Sequence, residues 1–456
     1  MVRFFYGSGL FLPSTPGRYF PLITILLKIY NLLWLVAMLF LKRSPRVSQG
    51  WNQRTLQEVQ KGPYDIWIQA ASGGEAMLTN MVLEELSGTL PSTPATTQLK
   101  VLVTSGTKEG IESLENGVLG SHNQKGHTFH RFTIHVAYFP LDAPHLMAKA
   151  FSTFSPRMAV IVETELWPGF LVAAKRNKVP VLLINGRMSE KSFASYKHLQ
   201  FFFKKFGPDK VLAISEQDGD RFSQVVGKDK VEIINNIKFD RIAAPDNGLG
   251  ENPLKVIIPQ DKPFILLGSI RKEEESLILT TISELLRKRP EAVIGLFPKH
   301  IERADQWLEL LESQGISTIK RSQTNGSNPQ KQVIVWDVFG ELAGAYALAK
   351  ASFVGGSLTN LGGQNFLEPL VFGLRPVIGP YWKDFAWVGR GIVTSGLVTE
   401  VQDEKELTTA LLKSIEDDTS KEYFLTRVQQ YFMLKKGGTH QTCIKIAEHL
   451  HKLETR

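Results

Sequence analysis

The run ASFVGG (Ala351–Gly356) and the run GGQNFLEP (Gly362–Pro369) that follows it decide the fold of the second half of the chain. The first run is typical of a strand, and residues from Phe366 onwards have a helical pattern, so a glycine-rich loop joins strand to helix. Glycines let a backbone approach a ligand closely, and free N–H groups at a helix start suit one phosphate. Many α/β proteins have a strand, a glycine-rich loop and a helix in this order without binding a ligand at the loop. By itself, this pattern therefore predicts the α/β architecture more strongly than it predicts a binding site.

Short apolar runs of this kind alternate with helical patterns along most of the chain. They are found at Asp65–Ala70, Lys100–Thr104, Met158–Val162, Val179–Ile184 and Lys210–Ile214 in the first half, and at Phe264–Leu267, Ala292–Phe297, Gln332–Trp336, Ser352–Val354 and Pro376–Ile378 in the second. Strands that alternate with helices form parallel sheets, because each crossover must return to the same end of the sheet. The sequence therefore predicts an α/β protein.

A polar stretch with glycine and proline, Ala244–Pro253, interrupts this alternation and is typical of a linker. We therefore predict two similar α/β domains joined near residues 244–258, with ligands bound in a cleft at the carboxyl ends of their strands. The predicted segments are residues 1–48 at the N-terminus, 49–245 for the first domain and 246–456 for the second.

The N-terminal segment contains an apolar run of 22 residues, Phe20–Leu41, with Lys28 as its one charge. That length is enough to cross a bilayer. Three cations follow at once, Lys42, Arg43 and Arg46, which predicts that the rest of the chain lies in the cytoplasm. A helix lying in the membrane surface is the alternative. A signal peptide is disfavoured, because the apolar run is too long and no cleavage site of small residues follows.

The charge and cysteine content of the chain limit the classes of partner that it can bind. The net charge of +8 and a pI near 9.2 predict an anionic partner. No block of five or more like charges and no DNA- or RNA-binding motif is present, so an anionic membrane surface or an acidic substrate is favoured over nucleic acid. Cys443 is the single cysteine, which excludes an intrachain disulfide and a cysteine-based metal cluster and fits a reducing compartment.

Acidic side chains follow the predicted strands of the first half. Glu75 comes after a Ser-Gly-Gly turn, and Glu163 and Glu165 come after the strand Met158–Val162. A carboxylate so placed can act as a general base on an acceptor hydroxyl. Other interpretations stay open: Glu75 can complement a helix dipole, and Glu163 or Glu165 can form a salt bridge within the domain.

Glycines and cations follow the predicted strands of the second half. They lie in Gly268–Arg271, in Pro298–His300 and in the glycine-rich loop, where Glu368 is placed to accept hydrogen bonds from a ribose diol. Such groups suit an anionic nucleotide, although Lys299 alone is also typical of a surface lysine. The two halves therefore divide into an acceptor side with a base and a nucleotide side.

Six of these motifs occur together in the order seen in one enzyme family. They are the Glu75 turn, ETELWP (Glu163–Pro168), the turn Asn185–Arg187, NIKFD (Asn236–Asp240), Pro298–His300 and the loop GGQNFLEP. In this the chain resembles the 3-deoxy-D-manno-octulosonic acid (Kdo) transferases, which add Kdo to the lipid A precursor in lipopolysaccharide biosynthesis. The resemblance runs from the N-terminal segment to about residue 385.

The resemblance implies a GT-B fold, in which two Rossmann-like domains face across a cleft, with an N-terminal membrane-anchor helix. It implies CMP-Kdo as the donor, bound by residues 246–456, and a lipid A precursor as the acceptor, bound by residues 49–245. It also places the catalytic domains on the cytoplasmic face of the inner membrane, at an anionic surface.

The resemblance further assigns roles to individual residues. Glu75 would be the base, and Glu163, Glu165 and Arg187 would lie on the acceptor side. The donor-binding residues would be Ser269, Arg271, Lys299, His300, Gly362, Gly363, Gln364, Asn365 and Glu368.

The chain departs from the family at three positions, where Gln69, Arg271 and Gln364 stand in place of the usual histidine. Arg271 keeps a cation, whereas the two glutamines cannot carry charge, which leaves the donor preference open. A CMP-sugar has one phosphate, which cationic side chains and amides can stabilise, so we expect inverting transfer without a metal or cofactor. A GT-B transferase with another nucleotide sugar and a weakly catalytic lipid-binding scaffold are the alternatives.

Overall fold

The computed structural model describes residues 20–90, 98–119, 131–242, 252–324 and 332–454. The strands in these ranges are β1 (Tyr64–Ala70), β2 (Leu99–Ser105), β3 (Phe132–Tyr138), β4 (Pro156–Val162), β5 (Val181–Gly186), β6 (Lys210–Ala213), β7 (Val231–Ile233), β8 (Phe264–Ile270), β9 (Val293–Pro298), β10 (Thr318–Lys320), β11 (Val333–Val335), β12 (Ala351–Val354), β13 (Pro376–Ile378) and β14 (Thr399–Glu400). The helices are α1 (Phe20–Leu41), α2 (Pro45–Ser48), α3 (Trp51–Arg54), α4 (Gly73–Thr89), α5 (Lys108–Leu114), α6 (Pro144–Phe154), α7 (Pro168–Arg176), α8 (Glu190–His198), α9 (Gln200–Phe206), α10 (Glu216–Val226), α11 (Glu275–Lys288), α12 (Ala304–Ser313), α13 (Leu342–Leu348), α14 (Leu367–Val371), α15 (Gly391–Thr394), α16 (Glu404–Glu416), α17 (Lys421–Met433) and α18 (Gly438–Glu454).

The described residues of Met1–Asp240 and Lys435–Arg456 form one unit, here called unit 1. Its strands form a parallel sheet in the order β3-β2-β1-β4-β5-β6-β7. On one face Trp67 packs edge-on against Phe154 of α6 and Phe170 of α7, with ring centroids 5.1 and 4.9 Å apart. On the other face α4 and α18 cover Ile66 and Ile68. Because helices cover both faces, the strands are the continuous apolar runs seen in the sequence.

The described residues of Arg241–Leu434 form unit 2, whose parallel sheet has the order β10-β11-β9-β8-β12-β13-β14. Its core joins Phe353 and Leu267 of adjacent strands to Ile282 of α11 and Leu407 of α16. The predicted α/β architecture with two parallel sheets is confirmed.

In both sheets the strand order reverses beside the unit's first strand. β1 lies between β2 and β4, and β8 lies between β9 and β12. Loops on the two sides of such a strand leave toward opposite faces of the sheet, which opens a crevice at the carboxyl ends where α/β proteins bind ligands. Glu75 follows β1 and Glu163 follows β4, while Arg271 follows β8 and Gly355–Gly356 follows β12. The candidate residues of each unit therefore lie at its switch point.

The second predicted domain, 246–456, is wrong at its C-terminal end, because the last helix packs in unit 1. Cys443, Ile446 and Leu450 of α18 are buried in the unit 1 core. Asp240 fixes the start of α18 by accepting the backbone N–H groups of Gly437 and Thr439, at 2.6 and 2.7 Å. The predicted boundary at residues 245–246 lies outside the described residues.

The predicted N-terminal helix is present as α1, with the bounds of the apolar run. Among the described residues, α1 is the one helix that is long enough and apolar enough to cross a membrane, judged by its length and composition alone. The expectation of a separate segment at 1–48 is wrong for α1. Ile23 is buried in the core of unit 1, and Leu27, Trp34 and Met38 pack against that core.

Candidate active site

Glu75 lies in the first turn of α4, directly after the turn that leaves β1. It is 9% exposed, and its Oε2 accepts the backbone N–H groups of Ala71 and of Ser72, the latter at 3.1 Å. This is how a Glu at the third helical position caps a helix, so the helix-terminus interpretation holds in part. Burial and the charges of Glu163 and Glu165 raise the pKa of Glu75 to about 7. A carboxylate with a pKa near the working pH is suited to take a proton from a hydroxyl.

Glu163, the first residue after β4, is held by a salt bridge. Its Oε1 accepts a hydrogen bond from Nζ of Lys238 at 2.7 Å, which confirms the salt-bridge interpretation for this residue. Lys238 belongs to the NIKFD motif, where Asn236 accepts its backbone N–H at 3.0 Å. Glu163 also has a φ of 61°, a left-handed conformation that non-glycine residues seldom adopt and that is concentrated at functional sites.

Glu165 and Arg187 complete the acceptor side of unit 1. Burial raises the pKa of the half-buried Glu165, and the charge of Glu163 raises it further. Thr164 donates from its hydroxyl to the carbonyl oxygen of Arg187, which joins the backbone at Arg187 to the loop that carries Glu163 and Glu165. Within the described ranges the Arg187 guanidinium makes no hydrogen bond or ion pair. The structure thus brings Glu75, Glu163 and Glu165 together near the end of β4, whereas Arg187 reaches them only through its backbone.

Arg271 and Lys299 lie at adjacent strand ends in unit 2. Ser269, just before them, has a φ of 57°. The Nε of Arg271 is buried without a hydrogen-bond partner, and the nearest carboxylate oxygen, from Glu273, is 3.9 Å away. The backbone N–H of Lys299 donates to the carbonyl of Ile270 at 2.8 Å, which joins the ends of β8 and β9. Lys299 is exposed and forms no ion pair within the described ranges, whereas Arg271 forms a long ion pair with Glu273 and keeps an Nε that no hydrogen bond uses. Both cations therefore still have donors for an anion.

His300 and Glu368, both predicted to bind the donor, differ in their exposure to solvent. His300 is 51% exposed, and its Nδ1 lies 3.6 Å from the carboxylate of Glu302, so no contact among the described residues joins it to Arg271. Glu368 is half-buried, and burial raises its pKa. Its charge acts on the buried hydroxyl of Tyr346, beside Gly268 at the end of β8. Glu368 therefore lies at the unit 2 switch point.

The glycine-rich loop uses some of its own hydrogen-bond donors. Gly356, Gly362 and Gly363 have φ values of 69°, 97° and 83°, which side chains rarely allow. The N–H of Gly363 donates to the carbonyl of Gly356 at 2.7 Å, so the prediction that it is free for a phosphate is wrong. Asn365 Oδ1 accepts the N–H of Leu367, the first residue of α14, at 3.3 Å. This helix has only five residues and little dipole to offer.

Gln69 and Gln364 stand where the family that the chain resembles usually has histidine, and both make neutral hydrogen bonds within the fold. Gln364 donates from Nε2 to the carbonyl of Gly363 at 3.1 Å. Gln69 is buried, and its Oε1 accepts the hydroxyl of Thr104 at 2.6 Å. Both therefore support local structure, and Arg271 is the substitution that keeps a charge.

Glu274 is a site residue that the sequence interpretation missed. It is fully buried, and its carboxylate accepts the N–H groups of Gly356, Ser357 and Leu358, at 2.6, 2.9 and 2.9 Å. It also accepts the N–H of Arg271 at 3.3 Å. One carboxylate thus holds the loops after β8 and β12 in register. The signal available was a Glu three residues after Arg271, the spacing of a helix cap.

The pH dependence of stability should reveal the buried charge of Glu75. Its pKa of about 7 in the folded protein lies above the usual 4.5, so the folded state holds the proton more tightly. That stabilisation is complete below about pH 4.5 and is lost as the pH rises through about 7. We expect Glu75→Gln, which keeps the cap without a charge, to exceed wild type in free energy of unfolding at alkaline pH by up to about 3 kcal/mol.

Denaturant unfolding of the two proteins at acid and alkaline pH measures this difference. Asp142, whose pKa burial also raises to about 7, is present in both proteins and cancels in the comparison. The same stability difference at both pH values would contradict a raised pKa at Glu75.

Several known proteins similar to this chain are transferases of one kind. Residues 49–241 match the family described as 3-deoxy-D-manno-octulosonic-acid transferase (kdotransferase). The 3-deoxy-D-manno-octulosonic acid transferase of Haemophilus influenzae is 29% identical over 362 residues, which covers 78% of this chain and 79% of that protein. That of Bordetella pertussis is 26% identical over 383 residues, 83% of this chain and 85% of that protein. A glycosyltransferase of Rickettsia africae shares the fold, with 12% identity, a TM-score of 0.53, and coverage of 86% of this chain and 99% of that one. Over most of its length, the chain is therefore similar to the Kdo transferases.

Proposed function

We propose that the protein is an inverting glycosyltransferase that moves Kdo from CMP-Kdo to a lipid A precursor. The observation that carries the proposal is the division of charge between the two switch points. Unit 1 has three carboxylates, one with a pKa of about 7, whereas unit 2 has two cations available to an anion. A sugar transfer from a nucleotide donor needs a base for the acceptor and positive charge for the leaving phosphate.

On the acceptor side, Glu75 takes the proton of an acceptor hydroxyl as its oxygen attacks the anomeric carbon of Kdo. The neighbouring charges of Glu163 and Glu165 favour this step, because they raise the proton affinity of Glu75. Arg187, whose backbone carbonyl is bonded to Thr164 of the same loop, is the cation assigned to an anionic group of the acceptor.

On the donor side, the bond between the anomeric carbon and the CMP oxygen breaks, and its electron pair leaves with the phosphate. Arg271 and Lys299 stabilise that charge with side chains, which suits a donor with a single phosphate and needs no metal. Glu368 accepts the ribose hydroxyls. The loop amides contribute less than the sequence indicated, because Glu274 and Gly356 already occupy several of them.

A lipid acceptor also agrees with the presence of the apolar helix α1, which can hold the protein at a membrane. We place the protein at the inner membrane with both units on the cytoplasmic face, held by α1 and by attraction of the basic chain to an anionic surface. The cations Lys42, Arg43 and Arg46 directly after α1 support that side.

Competition between donors tests the proposal. Labelled CMP-Kdo should transfer its sugar to the lipid, and unlabelled CMP should inhibit, whereas UDP- and GDP-sugars should neither transfer nor compete. Transfer from one of those donors instead would favour a different GT-B specificity. Binding of the lipid with no transfer from any donor would favour the scaffold interpretation.

A further inference from the structure

We propose that α1 lies in the plane of the membrane, docked along one side on unit 1, with its other side facing the lipid of an anionic bilayer surface. The proposal deepens the proposed function, on which it rests for the choice of membrane. It replaces the membrane-spanning orientation that the length of the apolar run favours.

One stripe of α1 is part of the unit 1 core. Ile23 is 4% exposed, and Leu27, Trp34 and Met38 pack against the same core cluster. They are spaced by four, seven and four residues, which are about one, two and one helical turns, so they line one side of the helix. The partner is the N-terminal part of α6.

Polar side chains at the middle of α1 fix this docking. The hydroxyl of Tyr30 donates to the buried carboxylate of Asp142 at 2.9 Å. The Oδ1 of Asn31 lies 2.8 Å from Nδ1 of His145 and accepts the backbone N–H of His145 at 3.2 Å. Both partners belong to unit 1, just before α6 and in its first turn.

These bonds conflict with a spanning helix. A helix of 22 residues is about 33 Å long, close to the thickness of the hydrocarbon core. Tyr30 and Asn31 would then sit near the middle of the bilayer and carry α6 there with them. The outer side of α6 exposes His145 and Lys149, and such side chains are costly in hydrocarbon.

The remaining surface of α1 is suited to lipid. Leu32 and Leu33 are each 61% exposed, Leu39 is 70% and Phe40 is 66% exposed. Exposed apolar side chains on one side of a helix are the mark of an interfacial helix. The exposed cations Lys42, Arg43 and Arg46 follow within two turns and complement anionic headgroups.

The docking of α1 also links this helix, through Asp142, to the loop that carries the acceptor-side residues. Besides Tyr30, the Asp142 carboxylate accepts the N–H groups of Gly169 and Phe170, at 2.8 and 2.7 Å. These open α7, directly after ETELWP. An in-plane α1 therefore holds the Glu163–Glu165 loop at a fixed place relative to the lipid surface, where a lipid acceptor lies.

Cysteine labelling tests the orientation without relying on activity. The chain offers a low background, because its single cysteine, Cys443, is buried. Ser14→Cys places a thiol ahead of α1, and Glu216→Cys, at an exposed position in the first turn of α10, is the matched control. A membrane-impermeant maleimide is applied to spheroplasts and to inverted inner-membrane vesicles of the producing Gram-negative cell. We expect both thiols to label several-fold more in inverted vesicles. Ser14→Cys unlabelled in inverted vesicles, or labelled from spheroplasts, would overturn the proposal.

Cross-linking tests the docking in the same vesicles. Cysteines at Asn31 and His145 should join through a short bis-maleimide, whereas the matched pair at Leu33 and His145 should not, because Leu33 faces away from unit 1. Equal cross-linking of the two pairs, or none of the first, would overturn docking. If the proposed function is wrong, both experiments still give their result, since neither measures transfer.

Discussion

Glu75→Gln is expected to lower Kdo transfer by about 10²–10⁴-fold, the usual contribution of a general base. Glutamine keeps an oxygen that can accept the N–H groups of Ala71 and Ser72, so the cap on α4 and the fold should persist. It cannot take a proton from the acceptor. CMP affinity should be unchanged, because the cations assigned to the donor lie in unit 2. Steady-state transfer and CMP calorimetry on the purified variant measure the two effects.

Glu216→Gln is the matched control for this variant. Glu216 is also in the first turn of a unit 1 helix after a strand, but it is exposed. We expect wild-type transfer from it. A Glu75→Gln protein that keeps more than half of the wild-type turnover would show that Glu75 is not the base.

Arg271→Ala is expected to weaken CMP binding by about 1–3 kcal/mol, the cost of losing a charge-assisted hydrogen bond. The buried, unpartnered Nε of Arg271 motivates the expectation, since a buried donor without a partner in the fold is satisfied by a ligand. Lys299→Ala should show a loss of the same order. Calorimetric titration with CMP measures both.

Arg287→Ala is the control for these variants. Arg287 is an exposed arginine of α11 in unit 2, where it pairs with Glu284 at 2.8 Å, and it lies away from the strand ends. Its removal should leave CMP affinity unchanged. Unchanged affinity in Arg271→Ala and Lys299→Ala as well would place the donor elsewhere.

The sequence was sufficient for the architecture because the parallel strands are buried on both faces. Runs such as Met158–Val162 and Phe264–Leu267 are apolar throughout and stand out from the helical patterns. The predictions for Glu75 and Arg271 followed from the rule that ligands meet the carboxyl ends of strands, and the structure places both at switch points.

Contacts distant in sequence are what the pattern of residues did not reveal. The edge strand β3, Phe132–Tyr138, was missed because its side chains are mostly half-buried and its run includes His135. Nothing local marks α18 as part of unit 1, since its place depends on Asp240, about 200 residues earlier. The bond between Tyr30 and Asp142 likewise spans 112 positions.

The sequence also did not reveal which backbone N–H groups of the glycine-rich loop are already hydrogen-bonded within the fold. A glycine-rich loop indicates that N–H groups are present, but it does not say which of them the fold uses. Glu274 occupies those of Gly356, Ser357 and Leu358, and Gly356 occupies that of Gly363. The sequence therefore indicated that N–H groups are present in the loop but not which of them the fold leaves for a phosphate.

Product mass is the measurement that tests Kdo transfer most directly. The full-length protein is incubated with CMP-Kdo and a tetra-acylated lipid A precursor in the presence of EDTA, and the lipid is weighed by mass spectrometry. We predict a lipid heavier by whole Kdo residues with wild-type and Glu216→Gln protein, and unchanged lipid with Glu75→Gln. Unchanged lipid with wild-type protein that binds CMP, or equal product from Glu75→Gln, would contradict Kdo transfer with Glu75 as the base.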